Sequence, residues 1–595
     1  MKKILLLVML LSIIRITAQD IPPIREFRGV WIASVANLDW PLKRTYTTQE
    51  QQDALVSMLD SLKLCNVNAV FFQIRPECDA LYQSSIEPWS YWLTNDQGTP
   101  PNPIWDPLEF AIKECRKQGM EIHAWLNPYR AVRNGTVYTP DATHISNTHP
   151  EWILTFNNLK ILNPGIPDVW DYNISVVVDI VNRYDVDGIH FDDYFYPYPP
   201  DQISHQDTAT FSLYNRGISD IGDWRRDNVN ILMQMINDTI KVLKPWVKFG
   251  ISPFGIWKNG VPAGISGLDA YNVIFADPIA WLQDGSVDYI IPQIYWAINS
   301  GSTDYAVLMP WWADSVHYYG RHYFVGHPFY KTSPKTYTGG LLLRSEMSEQ
   351  IRLNRNNDYC QGSTFFQARN FSDNYNNVTD SIMALYQYDA LIPVMEWGDT
   401  IPPNEPYALT FGTIPETGTD GLMWSAPPAA VDGDTAMKYV IYYNMITSRF
   451  SSVQQDPSFI IDITGNNYYE ITPQEDTYYY ITALDRNNNE SLESTMWGLD
   501  IDIYVNVPYK FDLGQNYPNP FNPSTKIKFT IPEAGNVKLT VYNLLGQEIT
   551  TLVNNNLTAG HHEVEFNAEN LSSGLYIYRL ESAGNIAVKK MILMK

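Results

Sequence analysis

Residues 27 to 371 alternate short apolar runs with segments of helical periodicity. Thr47 and Glu50 form a capping box before residues 55–62, where apolar side chains recur at i, i+3, i+4 and i+7. Further helices are predicted from the Asp106-Pro107 start to Gly119, and over residues 168–183 and 228–243. The eight β-type runs cover residues 27–34, 69–75, 121–127, 188–193, 248–254, 289–295, 323–327 and 364–369.

This alternation predicts a parallel sheet closed into a (β/α)8 barrel, within residues 24–402. The alternative is an open doubly wound sheet. It is weakened because no glycine-rich dinucleotide fingerprint follows the first run.

Polar side chains recur at the carboxyl ends of several predicted strands. In the fourth run, Ile189 and Phe191 alternate with His190 and Asp192. Because successive side chains point to opposite faces, the apolar pair should face the helices and the polar pair the barrel lumen. At this end of a barrel such residues form the active site. The lumen-facing candidates in other runs are Gln73, Arg75, His123, Trp125, Asn127, Gln293 and Tyr295.

The pattern changes after Pro402-Pro403 to short strands separated by turns. Residues 405–500 predict a β-sandwich, and residues 508–595 predict a second small all-β domain. The fold class is therefore α/β, a TIM barrel followed by two small all-β sandwich domains. The strands around Trp424 and residues 439–443 and 478–483 resemble a fibronectin type III domain, usually a spacer.

The last segment resembles the C-terminal sorting domain of the type IX secretion pathway. The resemblance rests on residues 516–525, Asn-Tyr-Pro-Asn-Pro-Phe-Asn-Pro-Ser-Thr, then on residues 544–548, residues 573–576 and the basic end 589–593. It implies that the type IX machinery is a partner and that the protein is secreted or attached to the cell surface.

Residues 1–18 predict a signal peptide, with Lys2 and Lys3 before an apolar run and a small-residue cleavage site. Export through the periplasm follows. Later apolar stretches are too short for a transmembrane helix. Export permits disulfides, so the four cysteines are either buried free thiols or include one bridge; their spacing fits no zinc motif. They are Cys65, Cys78, Cys115 and Cys360.

Composition narrows the range of possible binding partners. The chain has 41 basic and 65 acidic residues, a net charge of −24, which argues against nucleic-acid binding through phosphates. Aromatic residues make up 13% of the chain, which suits sugar-stacking surfaces and equally suits aromatic-rich β structure.

Several ordered motifs resemble the family-10-like glycosyl hydrolases. They are residues 26–33 (Glu-Phe-Arg-Gly-Val-Trp-Ile-Ala), 72–76 (Phe-Gln-Ile-Arg-Pro), 123–130 (His-Ala-Trp-Leu-Asn-Pro-Tyr-Arg), 187–197, 250–255 and 292–296. The resemblance implies a TIM-barrel glycosidase. Members with a known role cleave peptidoglycan glycan strands, notably those stripped of stem peptides. We therefore expect a polysaccharide substrate and neither cofactor nor metal.

Glycoside cleavage needs two carboxyl groups. Asp192 is the first candidate. Asp193 qualifies if the strand ends or bulges there, and otherwise orients a loop. Asp79 is the preferred partner acid, with helix capping as its alternative. Residues expected to bind sugar hydroxyls or an N-acetyl group are Gln73, Arg75, His123, Asn127, His190, Gln293 and Tyr295. Residues expected to stack on sugars, or else to pack in the barrel mouth, are Trp31, Trp40, Trp125 and Trp296.

Other functions stay open at this stage. The fourth run resembles the family 18 chitinase signature, but Tyr194 stands where the catalytic glutamate would be. A barrel without catalysis would be a surface glycan-binding protein. A metal-dependent glycan deacetylase would need His123, His190 and His327 to converge with Asp192.

Overall fold

The computed structural model describes residues 22–445, 454–474, 477–494, 497–498, 511–544, 546–557 and 560–595. The predicted signal peptide, residues 1–18, lies outside these ranges. No helix within them is long and apolar enough to cross a membrane. The chain divides into two compact units, one up to Leu499 and one from Asp500, and each is described by itself.

Eight parallel strands close into a barrel in the first unit. The seventh strand has two parts: the first pairs with β6 and the second with β8, which in turn pairs with β1 and closes the ring. The predicted barrel is confirmed. Its strands are β1 (Phe27–Ile32), β2 (Ala69–Arg75), β3 (Glu121–Leu126), β4 (Gly188–Phe191), β5 (Lys248–Ile251), β6 (Tyr289–Ile290), β7 (His322–Tyr323 and Val325–His327) and β8 (Gly362–Phe365).

A helix follows each barrel strand. The predicted capping box is present, because the Thr47 side chain accepts from the Glu50 backbone while the Glu50 side chain accepts from the Thr47 backbone. The fourth helix begins at Ile221, not at residue 228, because Asp220 caps it. The helices are α1 (Thr48–Lys63), α2 (Pro107–Lys117), α3 (Pro167–Arg183), α4 (Ile221–Leu243), α5 (Pro278–Gln283), α6 (Tyr305–Tyr318), α7 (Glu346–Arg355) and α8 (Val378–Met383).

Smaller elements decorate the barrel loops. Short helices cover Tyr91–Thr94, Ile145–Thr148, Thr208–Tyr214, Ala270–Val273 and Arg369–Asp373. Between β3 and α3, an antiparallel sheet is formed by the strands Arg130–Val132, Ile153–Phe156 and Leu159–Leu162.

The two faces of the barrel strands separate two cores. Ile189 and Phe191 belong to the large core between sheet and helices, whereas Phe71 and Trp125 belong to a smaller cluster in the lumen. This confirms the predicted alternation along β4. Aromatic side chains fill the lumen. Phe27, for example, stacks on Phe324, which lies between the two parts of β7. The barrel interior is therefore a packed core and not a channel.

Two antiparallel sheets follow the barrel in the first unit. They confirm the predicted all-β segment, while the resemblance to fibronectin type III stays a prediction. The strands of these two sheets are Tyr407–Thr413, Asp420–Ser425, Lys438–Met445, Ile460–Thr464, Tyr468–Glu470, Thr477–Leu484 and Trp497–Gly498.

The four cysteines of the chain are free thiols.

This sandwich contacts the amino-terminal end of the barrel. Glu121, the first residue of β3, is 2.5 Å from Lys248 Nζ of β5. From the sandwich, Asn488 Nδ2 donates to the same carboxylate at 3.0 Å, and Lys438 Nζ lies 3.7 Å away. These cations hold the pKa of Glu121 well below its usual value despite burial. The sandwich therefore lies at the end of the barrel opposite the carboxyl ends of the strands.

The second unit consists of antiparallel sheets around its own apolar core. Along the strand Ser524–Ile531, buried and exposed side chains alternate, with Ile527 and Phe529 inside. Its strands are Asp512–Leu513, Ser524–Ile531, Gly535–Tyr542, Glu548–Leu557, Gly560–Asn567, Gly574–Ser582 and Asn585–Leu593.

Breaking a buried ion pair at the end of β2 should destabilise the barrel. Arg75 and Glu87 are fully buried, with Arg75 Nη2 and Nε at 2.6 and 2.8 Å from Glu87 Oε1. Arg75→Met leaves the Glu87 carboxylate buried without its cation, so we expect the free energy of unfolding to fall by about 3–5 kcal/mol. Urea denaturation followed by tryptophan fluorescence measures it.

The matched control is Arg183→Met on α3, whose ion pair with Asp179 is partly exposed. We expect that change to cost less than about 1 kcal/mol. Equal effects of the two substitutions would contradict a special role of the buried pair.

Candidate active site

A cleft of about 450 Å³ opens at the carboxyl ends of the barrel strands. Among the residues that line it, the carboxyl groups are those of Asp192 and Asp193. Its walls combine aromatic rings with a few polar groups, as in carbohydrate sites. The lining residues are Trp31, Val35, Leu38, Gln73, Trp125, Arg130, Asp192, Asp193, Tyr194, Tyr198, Ser252, Phe254, Gln293, Tyr295, Tyr330 and Phe366.

Asp192 is held by two donors from the neighbouring strand. Trp125 Nε1 donates to its Oδ2 at 3.0 Å, and Asn127 Nδ2 donates to its Oδ1 at 3.0 Å. The Asn127 amide is itself fixed, because its Oδ1 accepts from the backbone N–H of Arg130 at 2.8 Å. Burial raises the pKa of Asp192 to about 7, although the Arg130 charge and the two donors act in the opposite direction.

Asp193 reaches the same cleft because β4 ends at Phe191. Adjacent residues of a regular strand would face opposite sides, but beyond the strand end both side chains line one cavity. The Tyr198 hydroxyl donates to Asp193 Oδ2. Burial raises the pKa of Asp193, and hydrogen bonds from Tyr198 and Gln293 oppose that rise.

The two acids have different hydrogen-bond partners. Asp192 accepts from Trp125 and Asn127, whereas Asp193 accepts from Tyr198. Burial raises the pKa of both carboxyl groups, and the negative charge of Asp193 is one further cause of the raised pKa of Asp192. Different surroundings of this kind are what a division of two carboxyl groups into an acid and a base or nucleophile requires.

Below the cleft, a hydrogen-bonded chain crosses the lumen. Trp31 Nε1 donates to His190 Nε2 at 3.2 Å, so a neutral His190 carries its proton on Nδ1. That nitrogen lies 3.2 Å from the Tyr289 hydroxyl, which lies 2.9 Å from His123 Nδ1. Burial, with a contribution from the His123 charge, holds the pKa of His190 well below its usual value. His190 and His123 thus support the floor and do not line the cleft.

Gln73 presents a donor at the cleft wall. Its Oε1 accepts from the backbone N–H groups of Ser34 at 3.0 Å and Val35 at 2.9 Å. This fixes the amide orientation and leaves Nε2 without a protein partner. Gln293 is oriented similarly, because its Nε2 donates to the Ser252 carbonyl at 2.8 Å.

Of the predicted site residues, the structure brings Trp31, Gln73, Trp125, Gln293 and Tyr295 to the cleft with the two acids. Asn127 contacts Asp192 from behind. Arg75, Trp40 and Trp296 do not line the cleft. Arg75 binds Glu87; Trp40 packs on Phe72 and donates to the Gln51 carbonyl at 2.8 Å; Trp296 makes an edge contact with Phe254.

Asp79 is also absent from the cleft lining. It is fully buried beneath the loop after β2, where Gln97 Nε2 donates to it at 3.0 Å and the Glu77 backbone at 3.2 Å. Burial and the Glu77 charge raise the pKa of Asp79 to about 7. A raised pKa alone thus does not single out a cleft residue.

Sequence reasoning missed several residues that line the cleft. Arg130, Tyr194, Tyr198, Tyr330 and Phe366 lie in or beside the loops after β3, β4, β7 and β8. Loops carry no periodicity that reports which side chains face inward. The available signals were the arginine that closes the 123–130 motif and the aromatic run directly after the two acids.

In the part of the chain that the structure describes, one group of ligand atoms is close enough together to hold a metal ion, that of Asp399, Asp434 and Asp485. None of the three lines the cleft. His327 does not join Asp192 either: its Nδ1 lies 2.8 Å from Gln350 Oε1.

A (β/α)8 barrel with two carboxyl groups in an aromatic-walled cleft is the arrangement expected of a glycoside hydrolase. Residues 26–338 match the family described as glycosyl hydrolase-like 10, and the chain belongs to that family. Residues 515–594 match the secretion system C-terminal sorting domain, which confirms the predicted sorting domain and indicates a secreted or cell-surface protein.

Two relatives in sequence are named glycosyl hydrolases. The glycosyl hydrolase YngK of Bacillus subtilis (strain 168) is 38% identical over 486 residues, which cover 79% of this chain and 92% of YngK. The glycosyl hydrolase DigH of Escherichia coli (strain K12) is 37% identical over 370 residues, 58% of this chain and 83% of DigH. An endo-beta-1,4-mannanase from Thermotoga petrophila superposes with a TM-score of 0.39 at 10% identity, covering 96% of this chain and 98% of the mannanase.

The hydrogen bond from Tyr198 should set the acid side of the pH profile. It stabilises the ionised form of Asp193, so Tyr198→Phe should raise the Asp193 pKa. A bond to a charged group is worth about 1.5–3 kcal/mol, so the acid limb of kcat/KM should move up by about 1–2 pH units.

Tyr330→Phe is the control, since Tyr330 lines the same cleft without affecting the pKa of either acid. A profile unchanged in Tyr198→Phe, or shifted equally in both variants, would contradict the assignment.

Proposed function

We propose that the protein hydrolyses glycosidic bonds in peptidoglycan glycan strands, with Asp192 as proton donor and Asp193 as its partner carboxylate. The observation that carries this proposal is the position of both acids in one cleft at the carboxyl ends of the barrel strands.

The surroundings of Asp192 suit a proton donor. A carboxyl group with a pKa near 7 is about half protonated in neutral solution and gives up its proton to the leaving glycosidic oxygen at little cost. As the proton leaves, negative charge develops on Asp192. The N–H groups of Trp125 and Asn127 are already in place to stabilise that charge.

Asp193 supplies the second half of the reaction. The hydrogen bonds from Tyr198 and Gln293 favour its ionised form, in which it either attacks the anomeric carbon or activates a water molecule. The alternative of a glycan-binding protein without catalysis predicts the aromatic walls but not a second acid. The presence of Asp193 in the cleft supports the hydrolase.

The walls of the cleft suit sugar rings. Trp31, Trp125 and Tyr295 offer ring surface, while Gln73 Nε2 and the Gln293 amide are hydrogen-bonding groups for hydroxyls or an N-acetyl group. Peptidoglycan is supported by the family resemblance of the sequence motifs.

Activity should fall on the alkaline side of neutrality. Above pH about 7 the raised pKa of Asp192 is passed and the proton donor is lost, so kcat/KM should drop about tenfold per pH unit. The measurement is kcat/KM from pH 4 to pH 9. A plateau extending to pH 9 would show that another group donates the proton.

The substrate is tested by mass spectrometry of the products from peptide-stripped glycan strands and from intact sacculi. We expect fragments from the stripped strands, and a loss of about 10²–10⁴-fold in kcat in Asp192→Asn and in Asp193→Asn. Asp79→Asn serves as the matched variant, because Asp79 is a buried acid outside the cleft. Fragments lost only in a folded Asp79→Asn would reassign the partner acid, and no fragments at all would overturn the peptidoglycan substrate.

A further inference from the structure

The catalytic cleft continues into a second groove of about 330 Å³. The two cavities share Arg130, Tyr194 and Tyr198. A glycan bound across Asp192 and Asp193 therefore has room to extend past Tyr194, whose ring is 44% exposed. The neighbouring sugar unit would lie against this groove.

Arg130, at the junction, has unused hydrogen-bonding capacity. It is only 9% exposed, its Nε donates to the Pro76 carbonyl at 3.0 Å, and its guanidinium lies 4.9 Å from the Tyr194 ring centroid. Its Nη2 is buried without a hydrogen-bond partner. Burying such a donor without a partner costs free energy. An acceptor on a bound ligand would supply the missing hydrogen bond to Arg130.

A second cation lines the same groove. Arg133 is half-buried, and its backbone N–H is anchored on Glu77 Oε1 at 2.6 Å. The groove also contains Asp201, but its two oxygens accept from Asn134 Nδ2 at 2.5 Å and Asn157 Nδ2 at 2.8 Å. The residues that line this groove thus include two arginines and one carboxylate, and that carboxylate already has its hydrogen-bond donors.

We propose that the groove binds a carboxylate carried by the sugar unit next to the scissile bond, with Arg130 and Arg133 as the recognising cations. Planar guanidinium groups match a carboxylate better than they match a hydroxyl or an N-acetyl group, because they can donate two parallel hydrogen bonds to it. The inference rests on the proposed glycan hydrolysis and narrows its substrate to acidic glycans. The carboxylate has two sources, the lactyl ether of muramic acid units or a uronic acid.

The test combines substitution of the arginines in the enzyme with removal of the carboxylates from the substrate. The full chain is assayed on peptide-stripped glycan strands and on the same strands after carbodiimide activation and borohydride reduction, which turns each carboxylate into an alcohol. We expect the wild-type kcat/KM to fall at least tenfold on reduction. In Arg130→Gln and in Arg133→Gln, native and reduced strands should be cleaved at similar rates.

Two controls keep the outcome interpretable. Arg183→Gln removes an arginine of α3 outside both cavities and should retain the wild-type preference. Arg133→Gln keeps its backbone anchor, so it reports on the groove even where Arg130→Gln does not fold. A wild type indifferent to reduction would overturn the proposal. So would an arginine variant that loses the same factor on both substrates, because Arg130 would then act only through the nearby acids.

If neither form of the strands is cleaved, the peptidoglycan substrate fails and the carboxylate groove is tested separately. Isothermal titration then compares oligogalacturonate with its reduced, neutral form. Tighter binding of the acidic form, lost in Arg133→Gln, would retain the groove with a uronic acid as its ligand. Equal binding of the two forms, or binding of neither, would overturn it.

Discussion

Two adjacent buried carboxyl groups are the constraint around which the upper half of the barrel is built. Asp192 and Asp193 are 3% and 4% exposed, and burial raises the pKa of each. The structure offsets part of this cost with oriented donors and with the charge of Arg130. Because those donors come from β3 and from the loops after β4 and β6, the acids depend on the register of several strands at once.

The two ends of the barrel have separate tasks. At the amino-terminal end, the charges of Glu121, Lys248 and Lys438 are paired, and the sandwich covers them. At the carboxyl end, donors such as Gln73 Nε2 and Arg130 Nη2 are left without protein partners. Paired charges thus lie at one end, while the other end has donors that a ligand can use. This division follows the usual arrangement of (β/α)8 enzymes.

Much of this organisation was predictable from the sequence. The eight apolar runs correspond to the eight barrel strands, and the alternation along β4 placed Ile189 and Phe191 against the helices. Periodicity determines which face a strand residue occupies, so Gln73 and Trp125 were found. Periodicity does not show how deep in the barrel a side chain lies. His123 and His190 share the lumen face but lie below the cleft, and Arg75 turns to the buried Glu87 in the loop that follows β2.

Loops set the other limit of sequence reasoning. The position of Asp193 depended on where β4 ends, which no periodicity specifies, and Asp79 lies in a loop folded away from the cleft. Arg130 and Tyr198 reach the acids through turns whose course depends on tertiary packing. The resemblance in motifs signalled that these segments matter but not which atoms meet.

A crystal structure of Asp192→Asn with a bound glycan strand tests the central claim most directly. The account predicts the scissile glycosidic oxygen within about 2.6–3.2 Å of the side chain at position 192, with the Asp193 carboxylate facing the anomeric carbon. A glycan whose scissile bond lies beside other carboxyl groups, or one bound away from both positions, would contradict it.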